Sequence, residues 1–320
     1  MYKWEKLGLI FNPASLATPE WMFEYAQAPA VLVLESFVRV YFSTRPPADK
    51  SGQFVSHAAY VDLDRSDLTR ILAISDEPVL SLGEIGTFDE FGTYPISVIR
   101  DQGKVIAYYG GWTRCESVPF NVAIGVAESN DGGSCFRKLG SGGPVLSYSP
   151  DEPFIVSGPK IRRFDGRWYL FYIAGRKWIT SHERPEPVYK IRMAYSDDGL
   201  NWSKLGKDII ESVLNEDECQ ASPDVIFYNG AYHMFFCYRE SLGYKSKSKG
   251  YRIGYARSED LVHWERNDEL VGIDVSGDGW DSEMVSYPHV FELDDSINML
   301  YLGNNFGQYG FGLARLVGEL

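Results

Sequence analysis

The chain has 320 residues, 44% of them hydrophobic and 15% aromatic, and carries a formal charge of −13. A field of that sign repels phosphate backbones and anionic lipid surfaces, which argues against nucleic-acid and membrane partners. No leader-like apolar core follows Met1 to Lys6, and the longest apolar run, Ala28 to Leu34, is far too short to span a bilayer; the expected setting is the cytoplasm.

The first predicted strand is Trp4-Glu5-Lys6-Leu7-Gly8. Beyond it, a proline heads an apolar run five times, at Pro29, Pro95, Pro159, Pro223 and Pro288, with spacings of 66, 64, 64 and 65 residues. A period this long suits a supersecondary unit of several strands. Each proline run leads through a turn, such as Asp165-Gly166 or Asn229-Gly230, into an aromatic second strand. Examples are Arg167 to Tyr172 and Tyr232 to Phe236. A third strand of the type Ile191 to Tyr195 ends in a polar turn such as Ser196 to Trp202, and a fourth strand leads outward. Four antiparallel strands repeated five times predict an all-β, five-bladed β-propeller formed by residues 1–320 as one domain. The text of two fourth strands, Phe136-Arg137-Lys138-Leu139-Gly140 and Trp202-Ser203-Lys204-Leu205-Gly206, recurs at Trp4 to Gly8. The chain stops after a third strand, Phe311 to Leu316, so the N-terminal strand is expected to complete the last blade and close the ring.

Innermost strands begin at the propeller axis, so residues before each proline are candidates for a shared funnel. Five positions before the proline stands a glutamate in four blades, Glu24, Glu90, Glu218 and Glu283, with Glu152 slightly earlier in blade three and Asp281 beside Glu283. Converging carboxylates are what glycoside hydrolysis needs: one gives a proton to the leaving group and one activates water or attacks carbon. The structural alternative is that they accept hydrogen bonds and hold the inner turns. Arg114 and Arg239 follow second strands and are suited to clamping an anion, or to pairing with those glutamates. Gln27, Gln220, His57 and His289 are candidates for sugar hydroxyls. Cys115, Cys135, Cys219 and Cys237 form no CxxC pair and read as free thiols, and no histidine pattern points to a metal. No cofactor is expected, beyond an ion or a water on the axis.

The proline-led strands and the Ser-x-Asp-Gly-x-x-Trp turns resemble the five-bladed propeller glycoside hydrolases, the superfamily of families 43, 32, 62, 117 and 130. The resemblance covers essentially the whole chain and implies a funnel that cleaves a glycosidic bond, by hydrolysis or phosphorolysis, in a small sugar or oligosaccharide, neutral or anionic. Within that reading the carboxylates at the repeated offset make Glu283 or Glu218 the expected proton donor and Glu24 or Asp281 the expected base or nucleophile, with Gln27, His57, Glu90, Arg114, Gln220, Arg239 and His289 expected to bind substrate. Family 43 would place acidic residues where this chain has Ala28, Ile96 and Ser157. That departure leaves two further readings open, a non-catalytic sugar-binding propeller and a protein-interaction scaffold.

Overall fold

The computed structural model of the chain describes residues 1–180 and 184–320. Its strands form five four-stranded antiparallel sheets. Blade one contains β2 (Glu24–Val33), β3 (Phe37–Arg45), β4 (His57–Asp64) and β5 (Ile71–Ile74), and blade two β6 (Gly92–Asp101), β7 (Lys104–Arg114), β8 (Phe120–Ser129) and β9 (Arg137–Lys138). Blade three contains β10 (Phe154–Phe164), β11 (Arg167–Thr180), β12 (Pro185–Ser196) and β13 (Ser203–Lys204). Blade four has β14 (Cys219–Tyr228), β15 (Ala231–Arg239), β16 (Arg252–Ser258) and β17 (Glu265–Arg266). Blade five has β18 (Ser286–Leu293), β19 (Ser296–Leu302) and β20 (Phe311–Leu316), and its outer strand is β1 (Trp4–Phe11). The expected closure is therefore present, with Trp4 opposite Leu316 and Phe11 opposite Phe311.

The prolines shape the axis. A proline donates no ladder hydrogen bond, and each of the five sits in a register shift of its inner strand. The residue before it takes a positive φ at Ala28, Gly158, Ser222 and Tyr287, while the Tyr94–Pro95 bond is cis. These five pre-proline residues all line a small axial void of about 50 Å³.

Between blades, the core is apolar and aromatic. Val40, Phe42 and Leu63 of blade one pack with Leu300, Leu302 and Leu313 of blade five, and Tyr108, Ile124 and Val126 of blade two pack with Leu170, Tyr172 and Ala194 of blade three. The polar turns lock neighbouring blades together. Ser196 Oγ accepts from the N–H groups of Asp198 and Gly199, and Asp198 accepts from those of Leu200 and Asn201. The carbonyl of Gly199 then accepts from Tyr108 of the preceding blade at 2.6 Å, as that of Gly133 does from Tyr41 at 2.7 Å. At Gly133, with φ at +90°, a Cβ would stand 2.1 Å from the Tyr41 hydroxyl, so no other residue fits.

A buried carboxylate recurs at the base of four blades. Asp89 accepts from Tyr109 and is paired with Lys138; Asp281 accepts from Tyr301 and is paired with Lys6. Glu152 binds Tyr172, Arg192 and Lys204, and Glu218 binds Arg266. In each case a cation on the blade's outer strand reaches the carboxylate. Blade one has Met22 and Phe42 fully buried at the corresponding places.

Candidate active site

Above the axial void, the funnel opens as a cavity of about 460 Å³. Aromatic side chains from all five blades wall it, among them Tyr25, Trp112, Tyr189, Tyr251, Tyr287 and Phe306. Its charged lining is strongly one-sided. Arg45, Arg114, Arg184, Arg239 and Lys245 are cationic, and Glu186 is the lone carboxylate among the described residues that line it.

The cations come from equivalent places. Arg45, Arg114 and Arg239 are the last residues of β3, β7 and β15, where the second strands of blades one, two and four run out at the funnel rim. Arg239 is only 4% exposed, yet none of its partners is a carboxylate. It donates to the carbonyls of Glu240 and Ser241 and to the Tyr189 hydroxyl, and it lies 3.7 Å above the Tyr244 ring. Burial opposes its charge, but the surrounding Tyr189, Tyr251 and Cys219 hold its pKa well above the usual arginine value. The Arg45 side chain lies over Tyr25 and Phe54, and its guanidinium makes no hydrogen bond or ion pair among the described residues. Arg114 stacks on Phe91 at 4.1 Å and donates to the Phe54 carbonyl. Glu186, near the start of β12, accepts from the Tyr244 hydroxyl at 3.0 Å and from Arg184 at 2.9 Å.

Of the residues expected in the funnel, Gln27, Arg114 and Arg239 line the cavity. Gln27 is buried and donates to the Phe306 carbonyl at 2.8 Å. The carboxylates are elsewhere. Glu218 is fully buried and accepts from Arg266 at 2.6 Å, from Gln220 and from the N–H groups of Val213 and Leu214. Gln220 is spent on the same knot, donating also to the carbonyls of Ile210 and Glu211. Asp281 is held at 2.7 Å by Lys6, and Glu283 is exposed outside the cavity lining. Glu24 accepts from Gln308 at 3.1 Å, and Glu90 accepts from the Gly86 N–H; neither lines the cavity. His57 is half-buried against Trp21, and burial lowers its pKa. Of the four glutamates five before a proline, Glu90 and Glu218 accept from turn N–H groups and only Glu218 belongs to the buried carboxylates of the blade bases.

His289 belongs to a second cluster, on the axis. The residue after each proline is Ala30, Ile96, Lys160, Asp224 or His289 in successive blades, so the charged ones meet. Asp224 is fully buried and contacts His289 Nδ1 at 2.6 Å, Lys160 at 3.5 Å and Arg162. Burial alone would raise the Asp224 pKa, but those three partners hold it well below the ordinary range. The Val31 N–H donates to His289 Nε2, so Nδ1 carries the proton given to Asp224. Burial pushes the His289 pKa down to about 4, against the pull of Asp224. Lys160 also lines the axial void, and its pKa is lowered by burial.

Glu186 carried no sequence signal of the kind sought. It lies in the blade-three hairpin of β11 and β12, whose strands of 14 and 12 residues are longer than those of the other blades. That overhang is legible in the spacing, but no repeat marks the glutamate.

No family model matches the chain. Over 314 residues it is 35% identical to the "Uncharacterized protein Rv1502" of Mycobacterium tuberculosis, covering 98% of this chain and 99% of that one. The chain belongs to that family. A more distant relative of the family member described here is the "Beta-1,2-mannobiose phosphorylase" of a Thermoanaerobacter species, 27% identical over 178 residues, which are 52% of this chain and 54% of that one. Among solved structures, one described as "Glycoside hydrolase" superposes with a TM-score of 0.74 at 17% identity, over 97% of this chain and 90% of that one. That likeness shows the fold. No helix among the described residues is long and apolar enough to cross a membrane.

Proposed function

We propose that the funnel cleaves a glycosidic bond by phosphorolysis. The observation that carries this reading is the imbalance of the lining, in which several cations without carboxylate partners stand around a single described carboxylate, Glu186. Direct hydrolysis asks for two carboxylates across the bond. Phosphorolysis asks for one acid and an anion site, since the phosphate itself is the nucleophile. Arg45 comes from blade one and Glu186 from blade three, with Arg114 of blade two between them in the ring. Arg45 and Arg114 hold the phosphate, whose oxygen attacks the anomeric carbon. The bond to the glycosidic oxygen breaks on the opposite face, and Glu186 in its acid form gives that oxygen a proton. The products are a sugar 1-phosphate of inverted configuration and a shortened saccharide with a free hydroxyl. Tyr25, Trp112 and Phe306 offer ring faces for the sugars.

Support comes also from the mannobiose phosphorylase relative. The first substrate to try is accordingly β-1,2-mannobiose, followed by a broader oligosaccharide panel, each with and without inorganic phosphate. Phosphate-dependent formation of a sugar 1-phosphate, abolished by Glu186→Gln, is the expected result. Release without phosphate makes the chain a hydrolase, and silence across the panel with tight binding of a sugar makes it a binding module.

A further inference from the structure

The phosphate accounts for Arg45 and Arg114 but leaves Arg239, on another wall, unanswered. Its guanidinium is a permanent positive charge that burial has stripped of water, and no carboxylate among the described residues repays that loss. Glu186, which lines the same cavity, is engaged instead by Tyr244 and Arg184, with the Tyr244 ring lying over Arg239.

The hydrogen bonds around Arg239 run in one direction. A guanidinium only donates, so Tyr189 receives its proton at 3.0 Å. Tyr189 and Tyr251 share a further bond of 2.6 Å between their hydroxyls. Whichever phenol donates in that pair, one O–H remains, and no described acceptor takes it. This wall therefore presents a positive field and a spare donor, and both seek an acceptor with negative charge.

We infer that Arg239, with the Tyr189–Tyr251 pair, forms a second anion subsite, which binds a sugar that itself carries a carboxylate or phosphate group. The inference rests on the glycoside-cleaving reading for its placement: Glu186 borders this subsite through Tyr244, so the charged sugar is the leaving one. The occupant is an anionic hexose, either a uronate or a hexose phosphate.

Calorimetric titration with D-glucuronate and D-mannuronate, against D-glucose and D-mannose, tests the subsite without any turnover. Mannose 6-phosphate is the arm that separates a phosphate group from a carboxylate. The charged sugars of one class are expected to bind about tenfold or more tighter than the neutral ones, as charge-assisted hydrogen bonds imply. Both Arg239→Gln and Tyr251→Phe should erase that preference; the second keeps the ring and removes only the hydroxyl. Equal affinity for charged and neutral sugars, including no measurable binding of either, overturns the inference. So does a preference that survives both variants and disappears in Arg45→Gln. Phosphate-dependent cleavage of neutral saccharides that Arg239→Gln leaves unchanged would remove this subsite and keep phosphorolysis. Uronate binding that needs Arg239, in a protein that cleaves nothing, would do the reverse.

Discussion

The blade bases and the funnel wall both contain charged side chains, and they treat them in opposite ways. At the blade bases Asp89, Glu152, Glu218 and Asp281 each have a cation on an outer strand, and all but Glu218 also a tyrosine hydroxyl. On the funnel wall Arg45, Arg114 and Arg239 lean on aromatic rings and carbonyls with no carboxylate partner among the described residues. A buried charge with its partner in place belongs to the architecture, because removing either member strands the other. Arg239 is buried without one, and on the reading proposed above its counter-charge comes from a ligand.

That contrast makes graded predictions. Glu152→Gln leaves Arg192 and Lys204 facing each other in a buried site, and a loss of about 3–5 kcal/mol in urea denaturation is expected. Arg239→Gln should instead leave stability within about 1 kcal/mol, or raise it, since no carboxylate is orphaned; equal losses in the two variants would break the comparison. On the axis, His289 stays neutral while the unfolded chain takes up a proton below pH about 6.5. Its folded pKa is the lower one, so its contribution is present above pH about 6.5 and lost as pH falls towards 4. The stability lost over that window is about 3 kcal/mol, measured by denaturation at several pH values, and His289→Asn should flatten the dependence. Lys6→Met removes a partly exposed member of the closing pair and should cost about 1–2 kcal/mol, read as faster hydrogen exchange in β1 and β20. Tyr301→Phe removes one hydrogen bond to Asp281 and should cost about 1 kcal/mol in the same denaturation assay.

The architecture was legible because it repeats. Five prolines at a near-constant period announce five inner strands, and the recurrence of the Trp4 to Gly8 text announces the closure. The carboxylates are less regular: Asp89, Glu152, Glu218 and Asp281 stand at differing distances before their prolines, yet each seats an inner turn against a cation of its outer strand. A ring has one funnel but five bases, so a position repeated around the ring carries no chemistry by itself. Arg239 and Arg114 could be picked out because strand ends at the rim are countable, whereas Glu186 sits on an overhang that only blade three has. The axial cluster shows the rule again: Ala30, Ile96, Lys160, Asp224 and His289 share one position and no common chemistry.

Ring closure also sets a timetable. The strand β1 leaves the ribosome long before β20, its partner across the last blade, yet neither can finish its hydrogen bonds without the other. During synthesis the chain therefore waits with an open edge at each end of a growing crescent of blades. The final pairing joins residues about as far apart in the chain as any two can be, Trp4 with Leu316, and such contacts form late because their loop-closure entropy is the largest. A nascent chain stalled in blade five would hold four nearly complete blades and no funnel, with Asp281 still lacking Lys6. The closing strand thus brings with it contacts to blade four as well, from Tyr2 to Tyr255 and from Trp4 to the Val271 carbonyl.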